Sequence, residues 1–122
     1  MNAKSPEQVN ELLIDALTRG DIDSAVELYE ADAKFVTAEG VVTGKTAIRN
    51  VLEGFISVAP TFRLRPKATV RNGEIALTGN NWSLTGTDQD GQSIEMSGSS
   101  YEVVRRGSDG NWRFVIDNPD AK

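Results

Sequence analysis

Glu102, Arg113 and Asp117 flank the segment Gly107-Ser-Asp-Gly110. If the chain on either side pairs as a hairpin, alternation of side chains along each strand decides which of them share a face. Counting outward from Gly107 to Gly110 pairs Arg106 with Asn111, Val104 with Arg113, Glu102 with Val115 and Ser100 with Asp117. Two carboxyls and a guanidinium then lie together. Such a set suits acid–base chemistry, in which one carboxyl holds a proton, the other accepts one and the arginine orients both. Glu102, Asp117 and Arg113 are therefore the candidate catalytic residues. The opposite face would carry Tyr101, Val103, Trp112, Phe114 and Ile116, a row too apolar to be left in water.

The chain contains neither histidine nor cysteine. Imidazole catalysis and disulfides are excluded, and a transition metal would need an all-oxygen shell, an improbable setting for zinc or copper. The expectation is a protein with no cofactor and no metal, whose proton chemistry comes from carboxylates, Tyr29, Tyr101 or a lysine. Carrying the same parity across Asp90-Gly91 puts Asn81 and Ser83 on the face of Met96, Ser100 and Glu102, and Trp82 and Leu84 on the other. Asn81, Ser83, Met96, Ser100 and Val115 become the candidate ligand-binding residues. Burial of Glu102 among Val104, Val115 and Leu77 should disfavour its charged form, with Arg113 pairing instead with an ionised Asp117. The competing reading is a solvated face on which Glu102 and Arg113 form an ordinary diagonal ion pair.

The elements that must hold these residues are legible. Ser5-Pro6-Glu7-Gln8 reads as a capped helix start, and Val9, Leu12, Leu13, Ala16 and Leu17 form one apolar stripe ended by Gly20. Asp21 caps a shorter helix running to about Tyr29. Lys34 to Thr37 and Val41 to Thr43 suggest a small hairpin, and a third helix spans about Lys45 to Ser57. Beyond Pro60 come four strands, about Thr61 to Arg71, Glu74 to Thr87, Ser93 to Arg106 and Asn111 to Asn118, punctuated by Asn72-Gly73, Asp90-Gly91 and Asp109-Gly110. Helices first and an antiparallel meander afterwards is an α+β arrangement.

Two motifs are weaker than they look. Gly40-Val-Val-Thr-Gly44-Lys45-Thr46 is one residue short of a phosphate-binding loop, and Asp88-Gln-Asp90-Gly91 lacks the later ligands of a calcium loop. The formal net charge of -5 argues against nucleic acid and anionic membrane as partners. No apolar run is long enough for a leader or a bilayer span, so a cytoplasmic location is expected.

Several stretches together resemble the nuclear transport factor 2-like superfamily, in its SnoaL-like and ketosteroid-isomerase-like branch. They are Leu17-Thr-Arg-Gly20-Asp21-Ile-Asp23, Leu28-Tyr-Glu-Ala-Asp32-Ala33, Thr43-Gly44-Lys-Thr-Ala-Ile48 and Asp109-Gly110-Asn-Trp112-Arg-Phe-Val-Ile-Asp117-Asn-Pro119. The last is similar to the ending of small bacterial members. The resemblance implies a single SnoaL-like domain over residues 1–122 with a cone-shaped, cystatin-like α+β fold. Three N-terminal helices would cover a strongly bent antiparallel sheet, with a polar-lined pocket inside the cone. It also implies a homodimer through the outer sheet face, which the parity above would furnish with Trp82, Tyr101, Trp112 and Phe114.

The isomerase's catalytic residues transfer poorly. Its aspartate base falls at Thr37 and its oxyanion tyrosine at Leu13, leaving Glu102 as the one counterpart. Glu102, Arg113 and Asp117 instead resemble the residue types of limonene epoxide hydrolase, although that family's arginine position falls at Ser100. The functional expectation is a small-molecule-binding protein of unassigned specificity. The alternatives are a cofactor-independent hydrolase or isomerase, and an oligomerisation domain.

Overall fold

The computed structural model describes residues 2–120. Three helices, α1 (Pro6–Arg19), α2 (Ile22–Glu27) and α3 (Lys45–Ile56), accompany six strands: β1 (Tyr29–Thr37), β2 (Gly40–Thr43), β3 (Thr61–Asn72), β4 (Ile75–Thr87), β5 (Ser93–Arg106) and β6 (Trp112–Asn118). The strands form one curved sheet in the order β2-β1-β6-β5-β4-β3. It is mixed rather than wholly antiparallel, because β1 runs parallel to β6. Among the described residues no helix is long and apolar enough to cross a membrane.

Local chemistry sets the helix limits. Pro6 opens α1, and Gly20, at φ 71°, closes it by donating its N–H to the carbonyls of Ala16 and Leu17. The side-chain cap that Ser5 suggests is absent: Ser5 makes no cap bond, and Gln8 Oε1 accepts from Lys4 N at 2.6 Å. Asp21 caps α2 by accepting from Ser24 N at 3.1 Å. Gly44, at φ 92°, makes the corner into α3, which accounts for the phosphate-loop look-alike. The stripes bury Val9, Leu13, Ala16 and Leu17 from α1 and Ile48 and Leu52 from α3 against Phe35, Val104, Trp112 and Phe114 of the sheet. Helix α2 stops at Glu27, earlier than its sequence suggests, so Tyr29 begins β1 and packs its ring 4.7 Å from that of Phe114.

Both long hairpins differ in register from the sequence reading, for one physical reason. Thr87 pairs with Ser93 and Arg106 with Trp112, which leaves odd-numbered loops, residues 88–92 and 107–111. In the first, Asp88 Oδ1 accepts from Asp90 N and Gln92 N, both at 2.9 Å. In the second, Asp109 Oδ1 accepts from Asn111 N at 3.0 Å. The aspartates thus brace wider loops than the tight turns their Asp-Gly dipeptides suggest. A slip of one residue turns every side chain to the other face. Thr78, Asn80, Trp82 and Leu84 therefore share the inner, helix-covered face with Glu102, Ser100, Gly98 and Met96.

Strand β6 flips as well: Trp112 and Phe114 are buried in the core, while Arg113 stands outside opposite Arg105. Val103 then pairs with Ile116 and Val104 with Phe114, so Val115 is an unpaired bulge residue. The bulge reverses the parity a second time and returns Asp117 to the inner face opposite Glu102. Trp82, Trp112 and Phe114 are consequently unavailable to an outer interface. The outer face carries instead a cross-strand row, Val70, Leu77, Val103 and Ile116, beside Tyr101.

Candidate functional site

Glu102 and Asp117 face the helices from adjacent central strands and are 2% and 4% exposed. One oxygen of each is held by the protein. Glu102 Oε1 accepts from Thr78 Oγ1 at 2.7 Å, Asn80 Nδ2 at 3.0 Å and Asn10 Nδ2 at 3.1 Å. Strand β4 supplies two of these donors from its inner face, and α1 supplies Asn10, a polar residue set into an otherwise apolar stripe. Asp117 Oδ2 accepts from the hydroxyl of the fully buried Tyr29 at 2.6 Å.

Among the described residues, none donates a hydrogen bond to the other oxygens, Glu102 Oε2 and Asp117 Oδ1. Yet no sealed side-chain oxygen or nitrogen among the described residues lacks a partner, so both oxygens keep some exposure, and both residues line one cavity. That cavity, about 50 Å³, lies between the helices and the sheet. Apart from Asn10, Ser100, Glu102 and Asp117 its walls are apolar, with Leu13 and Leu17 from α1, Leu52 and Phe55 from α3, and Phe62 and Leu64 from β3. The expected polar-lined pocket is thus an apolar one with a polar floor. A cleft of about 320 Å³ adjoins it and shares Phe35, Phe55, Trp82 and Pro119. At this boundary Trp82 Nε1 donates to the carbonyl of Pro119 at 2.6 Å.

The electrostatics follow from burial. Loss of water pushes Asp117 up to about 7, the neighbouring Glu102 carboxylate adds to the rise, and the Tyr29 hydrogen bond opposes it. Burial likewise raises Tyr29 well above the usual tyrosine value, with Asp117 and Glu102 reinforcing the shift. Three donors on Glu102 Oε1 suit a carboxylate acceptor. Asp117, expected as the ionised partner, is instead a group whose proton burial holds to near neutral pH. Among the described residues, no group of three or more acidic side chains is placed to hold a metal ion.

A SnoaL-like domain family model matches residues 10–115. The chain belongs to the SnoaL-like family. Its fold is similar to those of many solved structures, of which three serve as examples. A nuclear transport factor 2-like superfamily protein from Salmonella enterica has a TM-score of 0.82 at 20% identity, covering 94% of this chain and 88% of the other. A ketosteroid isomerase-like protein from Erwinia carotovora gives 0.82 at 18%, with coverage of 92% and 89%. A conserved protein from Planctomyces limnophilus gives 0.83 at 20%, with coverage of 92% and 89%. At such identities the likeness speaks for the fold. No curated protein matches the chain significantly.

Within this SnoaL-like domain the structure brings Glu102, Asp117 and Ser100 to one cavity and places the other candidates elsewhere. Arg113 points to the outer face and forks onto Asp109, with Nη2 to Oδ2 at 2.6 Å, holding that carboxyl well below its usual range. Asn81 is exposed and accepts from Ser99 Oγ at 2.8 Å. Ser83 lines a separate surface groove, and Met96, largely exposed, lines that groove and the outer cleft. Val115 is absent from the cavity lining, and Leu77 faces outward, away from Glu102. Leu13 lines the cavity and Thr37 the cleft, so the positions of the isomerase tyrosine and aspartate lie near the site with side chains unsuited to those roles. The sequence does not single out Asn10, Thr78 and Asn80, and it offers Tyr29 only as one of several possible proton-bearing groups. An asparagine within an apolar helix stripe was a signal for the first of them.

Proposed function

We propose that this SnoaL-like protein binds a small, mainly apolar molecule that presents one polar group to Glu102 and Asp117. The ligand would sit inside the cone formed where the helices close over the concave side of the sheet. The observation that carries this reading is the pair of carboxyls, each with one oxygen unpartnered among the described residues, lining an otherwise apolar cavity, an arrangement of few polar groups among many apolar ones that fixes ligand orientation. The inner cavity takes only a few heavy atoms, so the body of the molecule would extend past Phe55 and Trp82 into the adjoining cleft.

Thermal-shift screening of metabolites tests the proposal, since a ligand at about 100 times its Kd adds about 2.7 kcal/mol of stability. Hits should lose their effect in Ile14→Trp, which fills the cavity from a half-buried position on α1. A variant that responds like the wild type places the ligand elsewhere.

A second reading is a cofactor-independent isomerase or hydrolase. Asp117, pushed up to about 7, stands beside a second carboxyl group held by three donors, so an acid able to give and take a proton near neutral pH faces the cavity. The residue set would be acid, acid and tyrosine, because Arg113 lies outside the cavity. We further propose a homodimer through the outer face, now furnished with Val70, Leu77, Tyr101, Val103 and Ile116.

A further inference from the structure

We propose that the polar group received by the cavity is a protonated amine, carried on a small aromatic or aliphatic body. The inference rests on the binding reading above and narrows it to one ligand chemistry. Glu102 and Asp117 are more than nine-tenths buried and line the cavity, and each has one oxygen without a partner among the described residues. Among the described residues no lysine or arginine lines that cavity, so none of them supplies a counter-ion to the charge at its floor. A buried carboxylate without a cation is unfavourable, and a ligand that supplies the positive charge relieves this as a neutral hydrogen-bonding group does not. A carboxylate or phosphate would add a like charge and be rejected.

The walls agree with this assignment. Phe35, Phe55, Phe62 and Trp82 line the cavity, and aromatic faces attract ammonium groups while packing against an apolar body. The formal charge of -5 favours the approach of cations over anions.

Proton linkage follows from the same geometry. The titratable groups facing Asp117 are Glu102 from β5 and Tyr29 from β1, while α1, α3, β3 and β4 contribute only uncharged side chains to the lining. An ammonium group entering between the carboxyls favours the ionised form of Asp117, so binding displaces its proton. Affinity should rise as pH passes upward through about 7, where that proton is lost.

Isothermal titration of the intact protein decides the matter, with benzylamine, benzyl alcohol and benzoate as probes and butylamine and butanol as the aliphatic pair. The amines should bind at least roughly tenfold more tightly than the alcohols, and benzoate should not bind. Amine Kd should fall roughly tenfold from about pH 6 to about pH 8, because the binding-competent ionised fraction grows by that factor. Asp117→Asn, checked for folding by its thermal melt, should lose the pH dependence. Alcohols binding as tightly as amines overturn the amine assignment and leave the binding reading standing. A pH dependence that survives in Asp117→Asn overturns the assignment too, and no binding by any probe overturns both.

Discussion

Glu102 and Asp117 are direct partners across the β5–β6 ladder, so two carboxyls project from neighbouring strands into the same water-poor space. Both cannot be charged there without a large penalty. Asp117 is raised from an ordinary aspartate's 3.8 to about 7, so between those values the folded state holds a proton that the unfolded chain has released. The stability associated with that proton is fully present below about pH 4 and is lost as pH rises through about 7. Asp117→Asn keeps an acceptor for Tyr29 and removes the charge. The variant should melt several degrees above the wild type at pH 8, and its stability should vary less between pH 4 and 7. Thermal melts across that range check both, and parallel curves for the two proteins would show that Asp117 ionises freely.

Thr78 donates the shortest of the three hydrogen bonds to Glu102 Oε1, at 2.7 Å, and is itself 3% exposed. Thr78→Val removes the hydroxyl and nearly preserves the volume, leaving a buried carboxylate short of one donor. The loss should be about 1.5–3 kcal/mol, the range for hydrogen bonds to charged groups. Urea denaturation with an unchanged slope is the check. A change of a few tenths would mean that Asn10 and Asn80 satisfy Glu102 without it.

How much of this site was legible in the sequence is best seen in β6. Alternation along the strands predicts Glu102 and Asp117 on one face, and they do share it. Strict alternation nevertheless fails twice between them. The wider loop at residues 107–111 moved Arg113, Trp112 and Phe114 to faces opposite to those expected, and the bulge at Val115 then reversed the parity so that Asp117 returned inward. Neither feature has a strong local signature, since an Asp-Gly pair serves loops of several lengths and a bulge residue can be any residue. Helices α1 and α3 were legible because their stripes repeat over several turns. Tyr29, Thr78 and Asn80 were not, because their contact with the carboxyls is created by register between strands and by a short helix that ends early.

Val70, Leu77, Val103 and Ile116 line up across four neighbouring strands on the outer face, and Leu77 is 43% exposed in the single chain. A continuous apolar row of this kind is characteristic of a partner surface. Leu77→Glu places a charge at its centre while leaving the inner core untouched. Under the proposed dimer, the wild type should run as a dimer in sedimentation or light scattering and the variant as a monomer. Phe114→Glu is no test of the interface, because Phe114 is wholly buried and its replacement would unfold the domain. A wild type that is monomeric at high concentration removes the dimer proposal.

The turn between α3 and β3 packs directly against the end of β4. A Cβ on Gly86 would lie 2.4 Å from the carbonyl oxygen of Val58, which itself accepts from Thr87 N at 2.8 Å. Since the obstructing atom is backbone, no rotamer change can relieve the clash, and the whole turn must move. Gly86→Ala should therefore destabilise by about 1–3 kcal/mol, as overpacking does. In the same turn Ala59 has φ 49°, a left-handed conformation that disfavours a Cβ, so Ala59→Gly should be neutral or stabilising by up to about 1 kcal/mol. Glycine is thus tolerated at 59 and required at 86, opposite responses on two sides of one contact. Equal melting temperatures for wild type and Gly86→Ala would mean that β4 does not pass this close to the turn, and that Phe55 and Phe62, which flank it, line the cavity differently from the arrangement described above.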